Sequence, residues 1–305
     1  MSKPTAASQA DLDTLRTIRD WLRFYVSSMG RGRVFFGHGC ANAMDEAIYL
    51  IQHALHLPMG DINPFLDARV TPTEKQALLH YLMQRVEDRK PASYITGESW
   101  LQGHCFKVDQ RVIIPRSFIA ELLADQLTPW VNAPEMPMRI LDLCTGSGCL
   151  AILAAHTFEN ASVDAVDLSP QALQVANANI AQHGLGDRVQ AIESDLFNEL
   201  KGQRYDIILS NPPYVNEQSM QQLPPEYLHE PRMALAGGDD GMDLIKRILT
   251  QAKTHLNPGG LLIVELGNER EHFEAAFPEL NPMWLETYAG DEQVFLLHAE
   301  DLGAA

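Results

Sequence analysis

Three carboxylates and one asparagine stand at the ends of apolar runs in the second half of this 305-residue chain. Asp142 closes the apolar part of "RILD" just ahead of the glycine-rich "TGSG", Asp167 ends "SVDAVD", Asp195 follows "VQAIES", and Asn211 follows "YDIILS" to open Asn211-Pro212-Pro213-Tyr214. An amino group conjugated to a carbonyl or a ring is a poor nucleophile, because its lone pair is delocalised. If Asn211 Oδ1 and the Pro212 carbonyl each accept one N–H, the nitrogen turns its lone pair toward an electrophile. Pro212 and Pro213 would fix that carbonyl, and Tyr214 would stack on the planar group. Catalysis would then consist of positioning and electrostatic preorganisation. Two nucleophiles fit: the amide of glutamine and the exocyclic amino group of adenine.

The carboxylates say what the electrophile would be. Gly146 and Gly148 lie between an apolar strand and a helix, where glycine lets a backbone approach a ligand, and ligands of open α/β sheets bind at the carboxyl ends of strands. Such a turn alone also suits a dinucleotide. Asp142, just before it, would repel a pyrophosphate but pair with a cationic amino-acid moiety. Asp167, with Leu168 beside it, would accept hydrogen bonds from both hydroxyls of a ribose. Asp195 would meet an adenine amino group, with Leu196 or Phe197 packed on the ring. Together they describe a site for S-adenosylmethionine, with S-adenosylhomocysteine as product and Asn211 facing the methyl group. A nicotinamide-dependent oxidoreductase is the competing reading; Asp142 speaks against it, as does Ala151 where a third glycine would stand.

The elements that must position these residues follow from periodicity. From about residue 117 helix and strand alternate: helix 117–130, "RILDLC", helix 148–157, "SVDAVDL", helix 169–182, "VQAIES", "YDIILS", helix 241–256 and "GLLIVEL". Short, uniformly apolar strands are those of a parallel sheet covered on both faces. Two last strands, 283–288 and 292–298, are joined by a link too short for a crossover helix and so form an antiparallel hairpin. The expected fold class is α/β, a mixed Rossmann-like sheet of the methyltransferase kind, preceded by a small helical domain over 1–98 that recognises substrate. In that domain Leu12, Leu15, Ile18, Leu22, Tyr25 and Val26 fall at helical spacing, as do Ala47, Ile48, Ile51, Ala54 and Leu55. Thr71, Pro72 and Glu74 announce a third helix with a capping box. Alternation through Phe106, Val108 and Val112 predicts a hairpin linker over 99–116, leaving 117–305 as the catalytic domain.

Composition excludes other classes. No apolar run is long enough to span a bilayer, and "MSKPTAASQADLD" has no export pattern, so a cytoplasmic enzyme is expected. Four cysteines without a C-x-x-C pair predict reduced thiols, with Cys144 and Cys149 structural and no metal. Residues 1–115 carry a net charge of +1 and residues 116–305 a net charge of −18. An acidic catalytic domain repels a phosphate backbone and favours a cationic partner, so no nucleic-acid specificity and no membrane partner is expected.

At this point the chain resembles the protein glutamine methyltransferases, which methylate a glutamine side-chain amide using S-adenosylmethionine. The resemblance runs through "KPASYITG", "FKVDQRVIIPRS", the glycine-rich turn, "VDLSPQAL", "SDLF", "NPPYV" and "EPRMALAGGDDGMDLIKRIL". The last block favours glutamine over adenine. "RVFFGHGCANAMDEAIYLI" is similar to the branch that acts on the third large-subunit ribosomal protein. In "IPRSFIAEL", Ser117 replaces the second proline and Glu121 lies one residue late relative to the branch that modifies translation release factors. The resemblance thus implies a basic ribosomal protein as substrate, free or within a pre-ribosomal particle. It carries over Asn211 and the Pro-Pro-Tyr after it, and assigns nothing to Glu121 or to Arg31, Arg33 and His38.

Overall fold

The structure, a computed structural model, describes residues 9–303. The first eight residues, part of the stretch read for an export pattern, lie outside it. The chain divides into two compact units, one made of residues up to Glu98 together with Pro224–His229, the other of Ser99–Leu223 and the chain from Glu230 on.

The first unit is helical: α1 (Gln9–Thr14), α2 (Ile18–Gly32), α3 (Ala43–Ala54), α4 (Pro72–Val86) and α5 (Ala92–Thr96). The single helix expected from Leu12 to Val26 is in fact two. Thr17 caps α2: its side chain accepts from Asp20 N at 3.2 Å, and Asp20 accepts from Thr17 N at 2.9 Å. This capping box uses Asp in place of the usual Glu or Gln. The expected box of Thr71 and Glu74, with Pro72 first in the helix, starts α4. Trp21, Tyr25 and Met29 of α2 pack with Leu50 and Ile51 of α3 and Leu78 and Leu82 of α4. Beside that apolar core Arg85, 1% exposed, lies 2.6 Å from Glu46 Oε1 and 3.3 Å from Glu226 Oε1. Glu226 also accepts Phe35 N at 3.0 Å, so Pro224–His229 belongs to this unit through ions and hydrogen bonds.

The hairpin consists of β1 (Glu98–Leu101) and β2 (His104–Lys107), turning at Gln102 and Gly103, both at positive φ. The expected hairpin is thus present but short, and the alternation beyond Lys107 lies outside any strand. Phe106, Val108, Val112 and Ile114 are all buried, so the alternation reported burial correctly and secondary structure incorrectly. Likewise the helix expected over 117–130 is only α6 (Ile119–Ala124), because Gln126 and Leu127 both turn left-handed at φ 54°.

A seven-stranded sheet follows: β3 (Arg139–Leu143), β4 (Ser162–Asp167), β5 (Val189–Glu193), β6 (Tyr205–Ser210), β7 (Leu256–Glu265), β8 (Met283–Trp284) and β9 (Val294–His298). Its order is β5-β4-β3-β6-β7-β9-β8, with β9 antiparallel to β7 and β8 and the other pairs parallel. The α/β mixed sheet with a carboxyl-terminal antiparallel hairpin is therefore present, although β8 is two residues long. The helices are α7 (Cys149–Thr157), α8 (Pro170–Gln182), α9 (Glu217–Met220), α10 (Asp243–His255) and α11 (Arg270–Ala276). Strand order reverses between β3 and β6, the switch point at which open α/β sheets hold ligands. Among the described residues no helix is long and apolar enough to cross a membrane.

Candidate active site

A cleft with about 720 Å³ of empty space, its solvent-open part included, lies at the carboxyl ends of β3, β4, β5 and β6. That size suits a small organic ligand. Gly146, Asp167, Leu168, Asp195, Leu196 and Asn211 line it, with Pro213. A smaller pocket shares Ile113, Cys144, Gly146 and Asn211 with the cleft and adds Asp142, Arg116 and Ser117.

The turn after β3 explains how the two spaces are shaped. Cys144, Gly146 and Gly148 all have positive φ, at 60°, 54° and 80°. Such a turn curls the chain so that backbone N–H groups point inward, and glycine bears it without strain. Gly146 N donates to Asp167 Oδ2 at 2.9 Å and Ser169 N to Asp167 Oδ1 at 2.8 Å. Asp167 therefore holds the turn while it faces the cleft, and burial raises its carboxyl above the usual range despite those donors. Gly148 lines neither space. A Cβ there would come 3.2 Å from Ala176 Cβ, so this glycine serves the close packing of α7 on α8 rather than ligand contact.

Asp142 is 1% exposed. Its Oδ2 accepts from Thr145 Oγ1 at 2.5 Å and from Ala151 N at 3.0 Å, while Oδ1 has no hydrogen-bond partner. Burial pushes this carboxyl up to about 7, and the neighbouring Asp167 adds to the shift. A buried carboxylate oxygen without a donor, in the wall of a small pocket, matches an ammonium group.

Asp195 pairs with Arg247 at 2.8 Å, a partner that sequence spacing did not identify although Arg247 lies within "DLIKRIL". Leu196, at φ 53°, lines the cleft; Phe197 does not, being buried and stacked on His255 at 4.6 Å. Of the two residues expected to pack on an adenine ring, only Leu196 is in place.

Asn211 follows β6 and borders both spaces, and among the described residues none hydrogen-bonds its side chain. Pro212 and Pro213 are buried, and Pro212 and Tyr214 are not part of either wall. The Tyr214 ring lies against Gly267, where a Cβ would come 2.6 Å from Cε2. Cβ atoms at Gly237 and Gly241 would come 2.7 Å from Tyr214 Cα and 2.2 Å from its carbonyl oxygen. Gly237, Gly241 and Gly267 thus make room for this loop, which gives a physical reason for the first and last glycines of "AGGDDG". Tyr214, expected from sequence to stack on the substrate's planar group, packs against Gly267 and borders neither space.

Two further carboxylates fasten residues 114–118, part of which borders the smaller pocket. Glu230 accepts Ile114 N at 2.9 Å and grips Arg116 through two contacts of 2.5 and 2.8 Å. Glu265, raised to about 7 by burial, accepts Ser117 Oγ at 2.6 Å and Phe118 N at 2.9 Å. Glu121 stands apart from the cleft and accepts Tyr288 N at 2.8 Å. In the first unit the His38 ring lies tilted at 51° against that of Tyr227, 4.4 Å away, Arg31 donates to Ser28 Oγ, and the carbonyl of Arg33 accepts from Arg89. The four cysteines are free, and burial pushes the Cys149 thiol up to about 12 and that of Cys144 higher still, so both are inert.

A family model described as the methyltransferase small domain matches residues 120–238. The chain is 55% identical over 288 residues to the ribosomal protein uL3 glutamine methyltransferase of Bordetella pertussis, covering 94% of this chain and 97% of that protein. It is 53% identical to the protein of the same name from Burkholderia pseudomallei, covering 95% and 96%. Among solved structures, the hMettl16 catalytic domain in complex with the MAT2A 3'UTR hairpin 1 superposes with a TM-score of 0.52 at 15% identity, over 86% of this chain and 92% of that one. This last similarity shows the fold alone.

Proposed function

This chain belongs to the family of ribosomal protein uL3 glutamine methyltransferases, and on that premise we propose that it moves a methyl group from S-adenosylmethionine to a glutamine amide nitrogen of uL3. One observation carries the reading of the site: Asn211, hydrogen-bonded to nothing described, borders both the cleft with Asp167 and Asp195 and the pocket with Asp142. A nucleophile held by Asn211 would lie where a ligand spanning the two spaces must pass.

The residues fit that ligand. Asp167 offers its carboxylate to ribose hydroxyls, Leu168 and Leu196 flank the base, and Asp195, already held by Arg247, accepts from its amino group. Asp142 Oδ1 takes the ammonium, and Gly146 gives the backbone room. S-adenosylmethionine supplies a methyl group made electrophilic by a sulfonium. Asn211 Oδ1 and the Pro212 carbonyl each accept one amide N–H of the substrate glutamine. That fixes the amide plane and aims the nitrogen lone pair. Pro213 stiffens the loop, and Tyr214, wedged on Gly267, keeps Asn211 from drifting. As the C–N bond formed, the methyl C–S bond would break to leave S-adenosylhomocysteine, and the amide proton would pass to water, so Asn211 and Pro212 need only hold the amide and no side chain need act as an early base.

The acidic second part of the chain favours a basic ribosomal protein, met either free or in an assembling particle in the cytoplasm. Incubation of the enzyme with labelled S-adenosylmethionine and an extract of cells lacking it tests this directly. Mass spectrometry should find the label on a uL3 glutamine; label in a release factor or in nucleic acid refutes the assignment. Asn211→Ala should lower kcat by roughly 10²–10³, as loss of one preorganised polar contact does, with cofactor affinity by calorimetry nearly unchanged.

A further inference from the structure

Three histidines converge away from the cleft, in the second unit. His104 of β2, His156 near the carboxyl end of α7 and His183 just after α8 bring ring nitrogens within 4.8 Å of one another. Nothing in the methyl-transfer reading uses them, and their separation along the chain hides them from any motif.

Two details distinguish this cluster from a chance meeting of rings. His156 Nε2 stands 3.2 Å from His183 Nδ1. Two nitrogens bound at about 2.0–2.1 Å to one tetrahedral zinc lie about 3.3 Å apart, so this pair already has the spacing of one tetrahedral edge. The second detail is orientation. His183 Nε2 is 3.0 Å from the Cys105 carbonyl, which can only accept, so that nitrogen carries the proton. The Nδ1 lone pair is thereby left facing the cluster. Gln182 Nε2 donates to the same carbonyl at 3.0 Å and holds it in place. A ring N–H fixed on a backbone carbonyl is how proteins orient metal-bound imidazoles. The His104 ring stacks on that of His156 at 4.6 Å and 19°. Burial, reinforced by His183 for His104 and by His104, His183 and Arg188 for His156, holds both rings below the usual imidazole range.

We propose that His104, His156 and His183 bind one divalent transition-metal ion, zinc by preference, with water in the fourth position. His104 closes the remaining distance by rotation of its side chain. The proton on His156 Nε2 moves to Nδ1 as Nε2 takes the metal, so the neutral rings release no net proton. The ion ties the hairpin strand β2 to the carboxyl ends of α7 and α8, a staple across three elements of the second unit.

The test uses the full chain, stripped with a chelator and titrated with zinc chloride by calorimetry and thermal unfolding. One zinc per chain should bind and raise the unfolding temperature, and chelator should reverse the rise. Cobalt in place of zinc should give the visible absorption of tetrahedral coordination. His104→Asn, His156→Asn and His183→Asn should each weaken zinc binding by on the order of 100-fold, while His56→Asn, outside the cluster, should not. Absence of saturable one-to-one binding to the unaltered protein overturns the proposal, whatever the variants do. So does unchanged affinity in all three cluster variants.

Discussion

Carboxylates are buried in both units, and those of the helical unit are neutralised differently from those of the candidate site, although Glu230 of the second unit is paired with Arg116 as in the first. In the first, Glu46 and Glu226 share Arg85, with Arg89 3.1 Å from Glu226. In the second, Asp142 and Asp167 have hydroxyl and backbone N–H donors and, among the described residues, no ion-pair partner. Hydrogen-bond satisfaction does not separate the two, because Glu226 Oε2 and Asp142 Oδ1 both lack a donor. What separates them is the source of positive charge. Where the chain provides its own guanidinium, the buried carboxylate is an anchor. At Asp142, where the described residues provide none, the proposed reading has the missing charge arrive with a ligand's ammonium group, whereas Asp167 and Glu265 rest on hydroxyl and backbone N–H donors.

The comparison breaks most visibly at Arg85. Arg85→Met should cost about 3–5 kcal/mol of stability in urea denaturation, because it strands two buried carboxylates. A loss below about 1 kcal/mol would mean that the cluster is dispensable. Asp167→Ala should weaken S-adenosylmethionine binding by about 1–3 kcal/mol, through unpaired ribose hydroxyls and a looser Gly146 turn. Unchanged calorimetric affinity would remove it from the site. The smallest effect is the sharpest in sign. With its carboxyl near 7 in the free protein, Asp142 must lose a proton to receive an ammonium, so affinity should fall roughly tenfold per pH unit below about 7. Asp142→Asn should flatten that dependence. The same raised value means that the stability of the ligand-free protein from this group is full below the ordinary carboxyl range and is lost as pH rises through about 7.

Much of this was legible in the sequence, for a physical reason. Strand ends and a glycine turn are local, so Asp142, Asp167, Asp195 and Asn211 could be placed before any fold was known. The cleft indeed collects Asp167, Leu168, Asp195, Leu196 and Asn211. Where the reading failed, long-range packing decided. Tyr214 looked free because nothing nearby in the chain shows that Gly267 lies under its ring. Gly148 looked like a ligand contact because only the approach of Ala176 shows its packing role. Arg247, Glu230 and Glu265 were invisible as partners, since each acts on a residue 52 or more positions away. Periodicity found buried positions from Phe106 to Ile114 but mistook them for a strand, because burial alone does not fix the backbone.

The Glu226 anchor also sets an order of events during synthesis. A chain growing from its amino end exposes Arg85 and Glu46 long before residues 224–229 exist, and the first unit includes that later segment. The helical unit therefore cannot reach its final form as it emerges. Until residues 224–229 have been made, Arg85 and Phe35 N lack the carboxylate of Glu226, so these last contacts of the one unit can form only after much of the other has been translated.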